Sequence, residues 1–134
     1  MTIYLVDNSI WQRAGTSAAI AAKLRDLSPN HLLITCPPQV LEYCHSARTP
    51  TEYAELRADM DGLLPAWEHP DEQQALDIQQ ALWDAGLLRA AADFDCLIAA
   101  YAVAKDAVVL NSDHDFGHIE RATGGRVRQE YVAP

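Results

Sequence analysis

The chain has 134 residues, enough for one compact domain spanning residues 1–134 and too few for a second of ordinary size. Hydrophobic residues make up 49% of it, which supports a packed core and excludes a disordered chain. The net charge of −9, from 19 acids against 10 bases, argues against a simple nucleic-acid clamp, which is normally basic. It leaves open an enzyme whose acids gather round cations.

The longest apolar run, Cys96 to Ala104, falls well short of the roughly 20 residues a membrane helix needs. The N-terminal Met1-Thr2-Ile3-Tyr4 lacks the basic start of a signal peptide. Three cysteines, Cys36, Cys44 and Cys96, show no CxxC spacing and read as buried small hydrophobes. A cytoplasmic protein without membrane contact is the expectation. The five histidines show no zinc-like spacing with the cysteines.

Ile3 to Val6 is a short apolar run of strand formers that ends at Asp7, and reads as a buried strand. Asn8 or Ser9 caps a short helix beginning near Ile10. Thr16-Ser17 opens a second helix to about Leu27, with Ile20, Leu24 and Leu27 on one face. His31 to Thr35 is the second strand. Pro37-Pro38 stops it and starts a helix to about Ala47, because proline suits a first helical turn. Thr49-Pro50-Thr51 separates that helix from another over residues 52–64, and the two form a helical hairpin. A connector follows, with a short extended piece around Trp67. Asp71 to Ala85 is helical by spacing, and Gly86 stops it. A helix over residues 94–104, a strand over 107–110, a short turn over 115–119 and a last strand over 127–132 complete the chain. Strands separated by helices make an α/β domain with a parallel sheet.

Ligands of an open parallel sheet bind where its strands end. Asp7 follows the first strand, and Asp113 and Asp115 follow the third. Glu42 lies in the helix after the second strand, and Asp95 in the first turn of the helix starting near Phe94. Crossover connections return all of these to one edge. Such a crowd of carboxylates is repulsive unless a hard cation such as Mg²⁺ or Mn²⁺ relieves it. Held that way, magnesium keeps waters, one of which can attack a phosphodiester. Each acid alone also has a plainer reading. Asp7 caps a helix, Glu42 faces solvent, Asp93 or Asp95 is an N-cap, and Asp113 with Asp115 makes a polar turn. Four independent coincidences are then required.

These residues resemble a known family. Leu5-Val6-Asp7-Asn8-Ser9 is similar to the opening h-h-D-x-S of PIN domains. Pro38 to Glu42, followed by Ser46-Ala47-Arg48, resembles the second motif, in which a helix carries a glutamate. Asp95-Cys96-Leu97-Ile98-Ala99-Ala100 resembles D-x-L-I-A-A, and Asp113-His114-Asp115-Phe116 the closing D-x-D-F turn. In this order they span nearly the whole chain. The resemblance is to PIN-domain ribonucleases, in particular VapC-like toxins of VapBC toxin–antitoxin pairs. It implies a three-layer α/β/α domain with a central, mostly parallel sheet and a protruding helical hairpin. It implies a divalent-metal site of Asp7, Glu42, Asp95 and Asp113, loaded with Mg²⁺ or Mn²⁺. Asp115 is then a further ligand or support, and Asp93 the fallback for the third position. Asn111 orders the turn, and Ser9 bonds a ligand or phosphate. A VapC-like chain further implies cleavage of cellular RNA (transfer, ribosomal or messenger), a VapB-like antitoxin and a homodimer. Leu56 with Leu63 or Leu64 on the hairpin is the candidate partner face, or else part of the core. Arg13, Arg48 and Arg89 are candidates for phosphate contact.

Two other enzyme classes place an aspartate after the first strand. A haloacid-dehalogenase-like phosphatase needs a second aspartate two residues on, where Ser9 stands. A receiver domain needs a lysine after a late strand, whereas Lys105 precedes one. The rival outside catalysis is a silent PIN-like module that only binds RNA or protein. Such a module is expected to have lost some of the acids, and here all four positions are filled.

Overall fold

A computed structural model describes residues 1–134. Five strands form one wholly parallel sheet: β1 (Ile3–Val6), β2 (Leu32–Thr35), β3 (Leu64–Pro65), β4 (Val108–Asn111) and β5 (Arg128–Tyr131), in the order β3-β2-β1-β4-β5. Seven helices connect them: α1 (Asn8–Trp11), α2 (Ala18–Leu27), α3 (Pro37–His45), α4 (Pro50–Asp61), α5 (Glu72–Asp84), α6 (Asp93–Ala104) and α7 (Asp115–Ala122). None is long and apolar enough to cross a membrane.

Alternation along the strands makes three layers. Leu5, Ile34 and Val109 point to one face and pack with Ile78, Leu82, Ile98, Phe116 and Ile119 from α5, α6 and α7. Tyr4, Val6 and Leu110 point to the other and meet Ile10, Ile20 and Leu27 from α1 and α2. Helix α6 is buried along most of its length, which suits its run of small apolar residues, Ala99, Ala100 and Ala102. The α3–α4 hairpin is present, and α4 has α3 as its main packing partner.

Three expectations need correction. The fourth helix ends at Asp61, and the extended piece lies at Leu64–Pro65 rather than around Trp67, pairing Ile34 with Leu64 at the sheet edge. Only Pro65 and the backbone of this edge dipeptide define it, so no periodicity announces it. Residues 115–122 form a full helix, not a short turn, because Phe116 and Ile119 are fully buried against the core. The cap of α1 is Asp7, its plainer reading, and neither Asn8 nor Ser9. Trp67 does not enter the core. It is 55% exposed, and the buried Lys105 lays its ammonium 3.3 Å from the ring centroid and 3.3 Å from Glu68.

Candidate active site

The strand ends β1 and β4 and the starts of α1, α6 and α7 meet at one edge of the sheet. Asp7 continues the ladder, its N–H donating to the Leu110 carbonyl at 2.9 Å, and its side chain then caps α1. One carboxylate oxygen, Oδ2, accepts from the Ser9 N–H at 3.0 Å and the Ser9 hydroxyl at 2.7 Å. That hydroxyl in turn accepts the Ser112 N–H at 2.9 Å, tying the β1 and β4 loops together. Ser9 thus holds Asp7 in place and links it to the β4 loop.

Asn8, expected as a cap, ties α1 to α3 instead. Its amide donates to the Gln39 carbonyl at 2.9 Å and to Glu42 Oε1 at 3.4 Å, while Gln39 Nε2 donates back to Asn8 Oδ1 at 2.9 Å. This bridge fixes α3, and with it Glu42, against α1. Asp113 Oδ1 accepts the Asp115 N–H at 2.9 Å, which orients the turn before α7. Asp115 also comes within hydrogen-bonding reach of the Asp95 side chain. Asn111 does not order this turn. It is fully buried and donates sideways to Gln129 Oε1 at 2.9 Å on the neighbouring strand.

The carboxylates sense one another. Burial, then the charge of Asp7, the hydrogen bond with Asp115 and the charge of Asp113 push Asp95 up to about 8. Burial raises Asp113 as well; the Asp115 N–H opposes this, the charges of Asp7 and Asp115 add to it, and Arg13 pulls the other way. Glu42 is raised by partial burial and by Asp7 and Asp113, with the Asn8 amide opposing. Asp7, Glu42, Asp95, Asp113 and Asp115 thus form one electrostatic unit. Asp93 stands outside it. It is exposed, accepts from Gln79 at 3.3 Å, and faces a cleft beside the acids. Residues two apart on a helix point to nearly opposite sides, so one aspartate turns in and the other out.

Among the arginines, Arg13 lies near the site, donating to the Ser9 carbonyl at 2.9 Å and acting on Asp113. Arg48 and Arg89 are exposed on the α3–α4 and α5–α6 connections. Burial pushes the thiols of Cys36 and Cys96 up to about 12 and about 11, so neither is a thiolate nucleophile at neutral pH.

The donor set suits a hard cation: all of its atoms are oxygens, and the carboxylates destabilise one another while bare. Ser112 Oγ, buried beside Asp113 without a partner, adds an oxygen in need of one. As the side chains stand, no three of His, Cys, Asp and Glu converge on one ready-made ion position.

No family model matches the chain. Ribonuclease VapC21 of Mycobacterium tuberculosis, from strains CDC 1551 and H37Rv alike, is 33% identical to it over 124 residues, covering 91% of this chain and 89% of that one. The chain belongs to the VapC ribonuclease family. The PIN-domain resemblance read from Asp7, Glu42, Asp95 and Asp113 agrees with this membership. The fold agrees too. VapBC2 from Rickettsia felis, bound to a DNA fragment from its promoter, matches with a TM-score of 0.77 at 17% identity, over 98% of this chain and 99% of that one. VapBC-1 from nontypeable Haemophilus influenzae matches at 0.69 with 20% identity, over 97% and 98%. The likeness covers the whole α/β domain, whose five strands are all parallel in this chain.

Proposed function

We propose that this chain is a metal-dependent endoribonuclease toxin, and that a VapB-like antitoxin silences it by covering the acids. The observation that carries the reading is the meeting of Asp7, Glu42, Asp95 and Asp113 from separate elements, with three of the four raised by burial and mutual repulsion. These four would hold Mg²⁺, or Mn²⁺ in its place, with Asp115 in support. The cation supplies Lewis acidity toward a phosphate and a water acidic enough to serve as nucleophile.

The chain's own residues prepare the site. Ser9 takes one oxygen of Asp7 and leaves the other free. Asn8 holds Glu42 at the mouth, and the Asp115 N–H fixes one oxygen of Asp113. In the absence of metal, Asp95 keeps a proton at neutral pH within reach of Asp115. The substrate is cellular RNA, whether transfer, ribosomal or messenger, and the place of action is the cytoplasm.

Purified chain, freed of antitoxin and given Mg²⁺ or Mn²⁺, is expected to cut total cellular RNA into discrete fragments. Those fragments are expected to vanish with EDTA. Intact RNA after treatment with folded, metal-loaded protein would replace this reading with a silent binding module. A homodimer belongs to the same proposal, because Leu56 is half-buried and Leu64 is 41% exposed on the hairpin side of the sheet. Sedimentation is expected to return twice the chain mass of 14.8 kDa, and a monomer at all concentrations would remove the dimer alone.

A further inference from the structure

Beside the acids lies a cleft of about 720 Å³ between α1, α3 and the start of α6, a size suited to a small-molecule-like group. Glu42 and Asn8 line it and also belong to the acid site, so the two spaces are continuous. Its walls include Leu41, 59% exposed, and Phe94, 41% exposed. Phe94 directly precedes Asp95 in the first turn of α6, which keeps its ring within one residue of the acids.

The charge of this cleft restricts what enters. It carries the carboxylates Glu42 and Asp93 against a single histidine, His45, and no lysine or arginine lines it. A phosphate is therefore repelled from the cleft itself. A nucleobase is not, since it is uncharged, offers a π-face to Phe94 and Leu41, and presents edge N–H groups to Gln12 and Asp93. A base stacked and paired inside a duplex cannot offer that face, so the nucleotide concerned is unpaired or extruded.

Resting on the nuclease reading, we infer that the Leu41–Phe94 cleft is a nucleobase subsite: it takes one unpaired base next to the scissile phosphate, with Phe94 stacking on it. Phe94 is a substrate-binding residue in this scheme, and Leu41 closes the opposite wall. The exposure of Phe94 means that its replacement leaves the core intact.

The test is the binding of a fluorescently labelled, mixed-sequence single-stranded RNA oligonucleotide in Mg²⁺, on protein carrying Asp7→Asn so that the probe stays uncut. Adding Phe94→Ala is expected to weaken binding roughly 5- to 100-fold, the usual loss of one base–aromatic stack. Phe94→Tyr is expected to retain it, and a fully paired duplex of the same sequence to bind independently of Phe94. Equal affinity with and without Phe94→Ala, an equal loss for the Ala and Tyr variants, or no measurable binding at all would overturn the subsite. So would weaker capture of a protein partner by Phe94→Ala with RNA affinity unchanged, which assigns the cleft to that partner. Cleavage by the unsubstituted chain is scored separately. Its absence removes the nuclease reading, while the binding comparison still decides the subsite.

Discussion

Replacing Asp7 by asparagine is expected to lower RNA cleavage about a thousandfold or more while leaving the chain folded. The loss corresponds to about 4 kcal/mol of transition-state stabilisation, the scale on which metal-supported charge neutralisation works. The fold survives because asparagine is as good an N-cap as aspartate. Its side-chain oxygen can accept the same Ser9 N–H and hydroxyl that Asp7 Oδ2 accepts at 3.0 and 2.7 Å. Removing one charge from the crowd of Asp95, Asp113 and Glu42 also relieves repulsion, so the melting temperature should hold or rise. Ser9→Ala belongs between the two, with an expected loss of about 10- to 100-fold, since it frees Asp7 without removing it. Cleavage assays paired with thermal melts check the series. Undiminished cleavage by the Asp7→Asn protein would take Asp7 out of the mechanism.

The second large effect concerns stability and pH. Asp95 ionises near 3.8 in an unfolded chain, and burial with its acidic neighbours pushes it up to about 8 in the folded one. Between those values the folded state keeps a proton that the unfolded state has released. Stability therefore falls as pH rises through this window: the contribution is complete below about 3.8 and is lost as pH passes about 8. Asp113 and Glu42 are raised too, so they act with the same sign. In EDTA the protein is expected to melt at a lower temperature at pH 8 than at pH 6. Asp95→Asn is expected to flatten that dependence and to gain on the order of 2 kcal/mol or more at pH 8. The asparagine oxygen can still accept the Ala92 N–H now bonded to Asp95 at 3.4 Å. Adding Mg²⁺ at pH 8 should raise the melting temperature of the unsubstituted chain and have little effect on the variant. Parallel pH profiles for the two proteins would show that Asp95 ionises normally in the folded state.

The two predictions rest on residues that the sequence displays to different degrees. Asp7 is conspicuous because a strand of apolar residues stops at it, and Asp113 and Asp115 are conspicuous for the same reason after β4. The choice of Asp95 over Asp93 rests on the likeness of the run from Asp95 to Ala100 to D-x-L-I-A-A, because a helix buried along most of its length shows no one-sided pattern. Helix α7 was legible only as a turn, because Gly117 weakens its propensity and just two residues, Phe116 and Ile119, bury it. Strand β3 has two residues and no pattern at all; it exists because β2 offers it an edge to pair with. The Asn8–Gln39 bridge and the Ser9 clamp are contacts between distant segments. Local sequence carries no signal for them. Leu41 and Phe94 look like ordinary core residues in a helix pattern, and only their exposure on the cleft distinguishes them.

A sheet whose strands all run the same way cannot be assembled from neighbouring hairpins; each pairing waits for a helix to cross over. β1 lies at the centre of the order and β4 beside it, yet β4 is among the last elements in the chain. Asp7 thus leaves the ribosome early and waits for Asp95, Asp113 and Asp115 to follow. At roughly 5–20 residues per second, synthesis of the intervening stretch takes seconds. Throughout that interval the nascent polypeptide holds an incomplete set of acids, and a product cut short before β4 never completes it. Until β4 and the start of α7 have emerged, Asp7 and Asp95 have no Asp113 or Asp115 beside them.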